Sequence, residues 1–114
     1  TGISLLQTGT TRALMGDLTL LHDASSLATD PTEPARNVQV IVGNDGGGSI
    51  FAGLEMAQSL DSKSFDRLFK TPQSVDIWHL AQAYGWQYLR VETAAELSAA
   101  LSTAGRILID VRLD

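Results

Sequence analysis

The run VQVIV at 38–42 gives way at once to GNDGGGSIF at 43–51, and this pair of strings constrains the chain more than any other stretch. Its β-branched side chains favour extended backbone, and the run is short enough for a strand. Its apolar character is nearly continuous rather than alternating, the pattern of an interior strand of a parallel sheet with both faces covered. Arg12–Met15, Gln87–Val91 and Ile107–Val111 read as further strands, and segments of helical character separate them. Such alternation predicts a three-layer α/β/α domain with a mostly parallel sheet. At 114 residues the chain, 1–114, is a single domain, and its 44% hydrophobic content suffices for a modest core.

Two short pieces follow the first two strands: Met15–Thr19 after Arg12–Met15, and Gly43–Phe51 after Val38–Val42. Open α/β sheets place their ligands at the carboxyl ends of strands, where both pieces fall. Between Asp17 and Asn44 lie 26 residues, room for a helix, a loop and the next strand. Asp17 and Asp45 are therefore expected at one edge of the sheet, within reach of one ion. Two carboxylates beside three consecutive glycines suit a hard cation and a phosphate, since Mg²⁺ prefers oxygen ligands and shares its octahedron with phosphates and water. Glycines admit an anion close to the backbone, and the first turn of the helix after Asp17 offers unpaired N–H groups. Either piece alone is an ordinary turn former; the two together, each after a strand, point to a metal–diphosphate site.

Bulk properties narrow the alternatives. Eight basic against thirteen acidic residues give a net charge of −5, without the basic footprint of nucleic-acid binding. An acidic chain that binds a diphosphate needs a cation between them. No apolar run reaches the length of a membrane span, so no membrane association is expected. The first residues lack the charged start and apolar core of a signal peptide. With no cysteine there is neither a disulfide framework nor a thiol nucleophile, which fits a cytoplasmic protein.

The remaining elements follow in order. Thr1–Leu6 reads as the end of a helix. Leu18–Leu27 reads as one short helix with Leu18, Leu21 and Ser25 on a face and Asp17 near its N-terminus, where a carboxylate is favoured. His22 reads as a packing or hydrogen-bonding residue before a catalyst. Ala28–Asn37, with Pro31 and Pro34, is a surface loop. Ser49–Met56 is expected to be a short helix, and Ala57–Gln73 is the most loop-like stretch. Its Arg67, Lys70 and Gln73 read first as solvated groups, with contact to an anionic substrate as the sharper alternative. Ser74 or Asp76 caps a helix through Tyr84 that Gly85 stops, with Ile77, Leu80, Ala81 and Tyr84 inward. Thr93 and Glu96 form a capping box for a helix through Thr103. Asp110 interrupts the last strand and is expected to be paired or at the sheet margin. This tail shows no chemistry of its own.

The two pieces together resemble the signature of thiamin diphosphate enzymes, a Gly-Asp-Gly element followed some thirty residues later by an Asn-Asn-type element. The strings GDLTLLHD (16–23), NDGGGSIF (44–51) and FDRLFKTP (65–72) are similar to one branch of that superfamily. That branch is the C-terminal, diphosphate-binding domain of the 2-succinyl-5-enolpyruvyl-6-hydroxy-3-cyclohexene-1-carboxylate synthases (MenD) of menaquinone biosynthesis. The resemblance covers nearly the whole chain and is most specific over 13–72.

What the resemblance implies is a cofactor-binding domain of a transferase that decarboxylates 2-oxoglutarate and adds the succinyl-semialdehyde carbanion to isochorismate, with thiamin diphosphate and Mg²⁺ or Mn²⁺ as cofactors, in a homodimer or homotetramer. Asp17 and Asp45 would be side-chain metal ligands and the Gly47 carbonyl the third. Gly16, Leu18 and Thr19 would meet the diphosphate. Ile50 and Phe51 read equally as core residues or as a wall for the thiazolium ring, where apolar surroundings favour a carbanion. Two departures stand out: Gly46 replaces a common asparagine, and Asp45 replaces another, making the site more negative. No catalytic residue is assigned within the chain, because the resemblance places the activating glutamate on a separate domain and a substrate-binding segment before Thr1; the chain alone is thus expected to be inactive. An acetolactate synthase-like enzyme would share the metal and diphosphate residues but not the Phe65–Pro72 string. A receiver-like phospho-acceptor module also gathers aspartates around Mg²⁺, but it needs a lysine at a later strand end, where this chain has Val91 and Glu92.

Overall fold

The structure is a computed structural model that describes residues 2–6, 8–34, 36–46 and 76–113. Helix α1 (Gly2–Leu6) precedes strand β1 (Thr11–Gly16), helix α2 (Asp17–His22), a 3₁₀ turn (Ala24–Leu27) and strand β2 (Val38–Asn44). Helix α3 (Ile77–Tyr84), strand β3 (Gln87–Val91), helix α4 (Ala94–Ala100) and strand β4 (Arg106–Arg112) complete the described elements. The strands form one sheet in the order β1-β2-β4-β3, and every neighbouring pair is parallel.

This order accounts for the layers. From β1 to β2, and on to β3, the chain advances in one direction across the sheet; from β3 to β4 it steps back. Right-handed crossovers place forward and backward connections on opposite faces. Accordingly Leu20 and Leu27, with Ile77 and Ala81 of α3, pack on the face carrying Val40, Val42 and Leu108. The other face carries Ile107, Ile109 and Val91 against Ala100 of α4. Val42, Ile107, Leu108 and Ile109 have no exposed surface, and burying each such side chain stabilises the fold by about 1.5–3 kcal/mol. The expected α/β/α layering and the interior position of the VQVIV run hold.

Gln39, the polar residue of that run, is 1% exposed. Its Nε2 donates to the carbonyls of Leu101 and Thr103, and its Oε1 accepts from Arg12 Nε at 2.7 Å. These bonds satisfy it and tie the end of α4 to the sheet, as a buried amide requires.

The caps of α3 form as predicted. Asp76 accepts from Trp78 N at 2.9 Å, and Gly85 takes the left-handed φ of 74° that stops the helix. Ile77 and Ala81 are buried, Leu80 and Tyr84 partly so, and Trp78 and His79 lie outside.

Two expectations are corrected. The predicted Leu18–Leu27 helix is two elements. Asp23 N is shared between the carbonyls of Thr19 and Leu20, and the Asp23–Ser26 stretch then tightens into 3₁₀ bonding, Ser26 N to Asp23 O and Ala28 N to Ser25 O. Such i→i+3 bonding is the tighter form in which short helical pieces commonly end. The inward residues are consequently Leu20 and Leu27, while Ser25 is exposed. The capping box of Thr93 and Glu96 is present, but α4 ends at Ala100 rather than Thr103. Ser102 N and Thr103 N turn back to Ala99 O and Ala100 O, which leaves the Leu101 and Thr103 carbonyls to Gln39. The expectation for Asp110 holds in its paired form: it lies on β4, inside the sheet between β2 and β3, and both of its carboxylate oxygens accept hydrogen bonds.

Candidate functional site

The register of β1 and β2 builds the site. Gly16 stands opposite Gly43, so the residues that follow both strands emerge at one edge of the sheet. Asp17 is the first residue of α2, entered from an extended Gly16. Its side chain is nearly buried, the residue being 5% exposed, and the carboxylate accepts the backbone N–H of Leu18. Asp45 follows β2, half-buried, and its carboxylate meets that of Asp17 within hydrogen-bonding reach.

Such an arrangement is electrostatically unfavourable without a cation. Burial pushes the Asp17 carboxyl above its ordinary range, the Leu18 N–H opposes the rise, and the neighbouring Asp45 charge adds to it. A bound cation would relieve both the desolvation and the repulsion, so the residues present fit a hard divalent ion. Among the described residues no group of three or more His, Cys, Asp or Glu side chains gathers. Two carboxylates therefore leave the remaining positions to carbonyls, water or phosphate oxygens, which suits Mg²⁺. Gly47, the predicted third ligand, lies outside the described residues, as do Ile50 and Phe51 and the basic residues Arg67 and Lys70. Gly16 and Thr19 are exposed beside Asp17, and Leu18 is half-buried, so all three predicted diphosphate contacts stand at the same strand end. His22 is exposed.

The turn that carries Asp45 is held from beneath. Asn44 is 7% exposed; its Oδ1 accepts Gly46 N at 3.2 Å, and its Nδ2 donates to Asp110 Oδ1 at 3.0 Å. The other carboxylate oxygen of Asp110 accepts the Tyr88 hydroxyl at 2.6 Å. Burial, this bond and the Asp110 charge all push the Tyr88 phenol well above its usual range, so the hydroxyl remains a donor. Gly46 has φ 79°, a left-handed conformation that glycine adopts freely and asparagine more readily than most residues. That is a physical reason for a Gly–Asn exchange at this position. The tail expected to carry no chemistry thus reaches the site through Asp110 and Tyr88. The signal was present in the sequence: an aspartate inside the β-branched run ILIDV needs a partner when buried.

Residues 1–111 match the family model described as the thiamine pyrophosphate enzyme, C-terminal TPP binding domain. The chain is 54% identical over 107 residues to the 2-succinyl-5-enolpyruvyl-6-hydroxy-3-cyclohexene-1-carboxylate synthase of Clavibacter michiganensis subsp. michiganensis, covering 92% of this chain and 18% of that protein. It is 52% identical over 108 residues to the synthase of the same name from Leifsonia xyli subsp. xyli, covering 93% and 18%. The Paenarthrobacter aurescens synthase is 44% identical over 120 aligned positions, covering 100% of the chain and 21% of that protein. The chain spans about a fifth of the length of these curated relatives. The family match sets the receiver-like alternative aside. No helix among the described residues is long and apolar enough to cross a membrane.

Proposed function

The chain belongs to the family of C-terminal thiamine pyrophosphate-binding domains of thiamine pyrophosphate enzymes, and from that premise we propose that it forms the metal-and-diphosphate wall of a menaquinone-pathway synthase acting on 2-oxoglutarate and isochorismate. The observation that carries the reading is the meeting of Asp17 and Asp45 carboxylates at the carboxyl ends of two adjacent parallel strands. In this reading the two aspartates and the Gly47 carbonyl hold Mg²⁺ or Mn²⁺. The Gly16 and Leu18 backbone and the Thr19 hydroxyl orient the diphosphate, and Ile50 and Phe51 line the thiazolium. The cofactor, once bound, supplies stabilisation of a carbanion next to a former carbonyl. The chain's own residues neutralise the diphosphate through the metal and fix its position. The similarity to the synthases of three relatives supports the substrate assignment. The complete synthase is proposed to be a cytoplasmic homodimer or homotetramer.

The test is an assay of the full-length protein with thiamin diphosphate and Mg²⁺. Consumption of 2-oxoglutarate that depends on isochorismate supports the proposal. Turnover of pyruvate in place of 2-oxoglutarate would move the domain to an acetolactate synthase-like enzyme.

A further inference from the structure

Asp110 lies on β4, opposite Val42 of β2 in the strand register, and is 2% exposed. It touches neither Asp17 nor Asp45 through any bond described above, yet it sits two links from the Asp45 turn. An ionised carboxylate only accepts hydrogen bonds, whereas an asparagine amide has a donor end and an acceptor end. Facing Asp110, Asn44 must present its NH₂ group, and its carbonyl oxygen is then directed to Gly46 N. The Tyr88 hydroxyl occupies the second oxygen of Asp110, so the carboxylate is held from both sides. Asn44 and Gly46 flank Asp45, and bonding between them closes the turn around it.

We infer that Asp110 is a positioning residue for the metal site: it orients the Asn44 amide, and that amide holds the turn that presents Asp45 to Asp17. The inference rests on the metal reading given under Proposed function. Groups that orient metal ligands without touching the ion contribute about 10–100-fold to metal affinity. The same range is expected here. Asparagine at 110 would keep the volume and the hydrogen bonding of the aspartate but would present either end of its amide to Asn44, releasing the orientation. Tyr88→Phe would remove one restraint and leave Asp110 bonded to Asn44, with a smaller effect.

The experiment is a Mn²⁺ titration by electron paramagnetic resonance on the full chain in the presence of thiamin diphosphate, paired with thermal denaturation of each variant. Asp110→Asn and Asn44→Ala are each expected to weaken Mn²⁺ about 10–100-fold in protein that is folded at the temperature of the titration. Because both act through one amide, the double variant should bind no more weakly than Asn44→Ala alone, a non-additive result. Unchanged Mn²⁺ affinity in Asp110→Asn, with only a lower melting temperature, would reduce Asp110 to a structural residue and overturn the inference. So would losses that add in the double variant. A parent chain that binds no Mn²⁺ overturns the metal reading itself, an outcome distinguishable from the other two.

Discussion

The carboxylate of Asp17 meets the carboxylate of Asp45 across the ends of β1 and β2. Neither strand alone makes a site. Parallel pairing with Gly16 opposite Gly43 brings the two acids together, and the crossover through α2 separates them by a whole βα unit in sequence. Folding therefore assembles a cluster of negative charge, half-shielded from water, that is costly unless a cation occupies it.

The first prediction concerns that cost. Asp17 has its folded-state pKa raised above the ordinary value of about 3.8. Its favourable contribution is fully present below that value and is lost as pH rises through the raised one. The metal-free chain should accordingly lose stability across this window, and Mg²⁺ should restore it near neutral pH. Asp17→Asn should flatten the dependence and raise the metal-free melting temperature at neutral pH. Thermal denaturation with chelator, across pH, checks the sign; a variant less stable than the parent at neutral pH would contradict it.

The two acids should differ in their effect on the metal. Asp17→Ala removes a charged ligand and should abolish activity of the full-length protein at ordinary Mg²⁺. Asp45→Asn keeps an oxygen ligand and should be much milder, raising the Mg²⁺ requirement without abolishing activity. Activity measured against Mg²⁺ concentration separates them, and equal losses at saturating metal would refute the asymmetry.

At Gly46 the constraint is the backbone. Among the described residues no atom lies within 4 Å of a Cβ placed there, and φ 79° sets a conformational penalty on any side chain. Gly46→Ala should cost about 1–2 kcal/mol, and Gly46→Asn less, by the shift of the denaturant midpoint. Equal costs would mean that the left-handed conformation is not what selects the residue.

Much of this fold is legible in the sequence because strands and caps are local. The VQVIV run, the Asp76 and Gly85 caps and the Thr93–Glu96 box each follow from a few neighbouring residues. Asp17 and Asp45 were readable together because strand ends in an α/β sheet converge. The break of the Leu18–Leu27 segment was not, since it depends on where Leu27 must land: its carbonyl accepts Trp86 Nε1 at 2.8 Å, across 59 residues of sequence. The support of Asn44 by Asp110 was missed for the same reason, being a contact between β2 and β4 across 66 residues.

That Trp86 bond is itself testable. Trp86 is 3% exposed, and its indole N–H joins the start of β3 to the 3₁₀ turn. Trp86→Phe would leave the Leu27 carbonyl without this donor and should cost about 1–3 kcal/mol on that account, before any loss from the smaller ring. Urea denaturation measures it; a neutral substitution would mean that water replaces the indole.

The most direct measurement of the central claim is a calorimetric titration of thiamin diphosphate into this chain, with Mg²⁺ and then with chelator, repeated with Asp17→Ala. Binding should require the metal, should be competed by pyrophosphate, and should vanish in the variant. Equal binding with and without metal, or undiminished binding in Asp17→Ala, would contradict a metal-bridged diphosphate site at these strand ends.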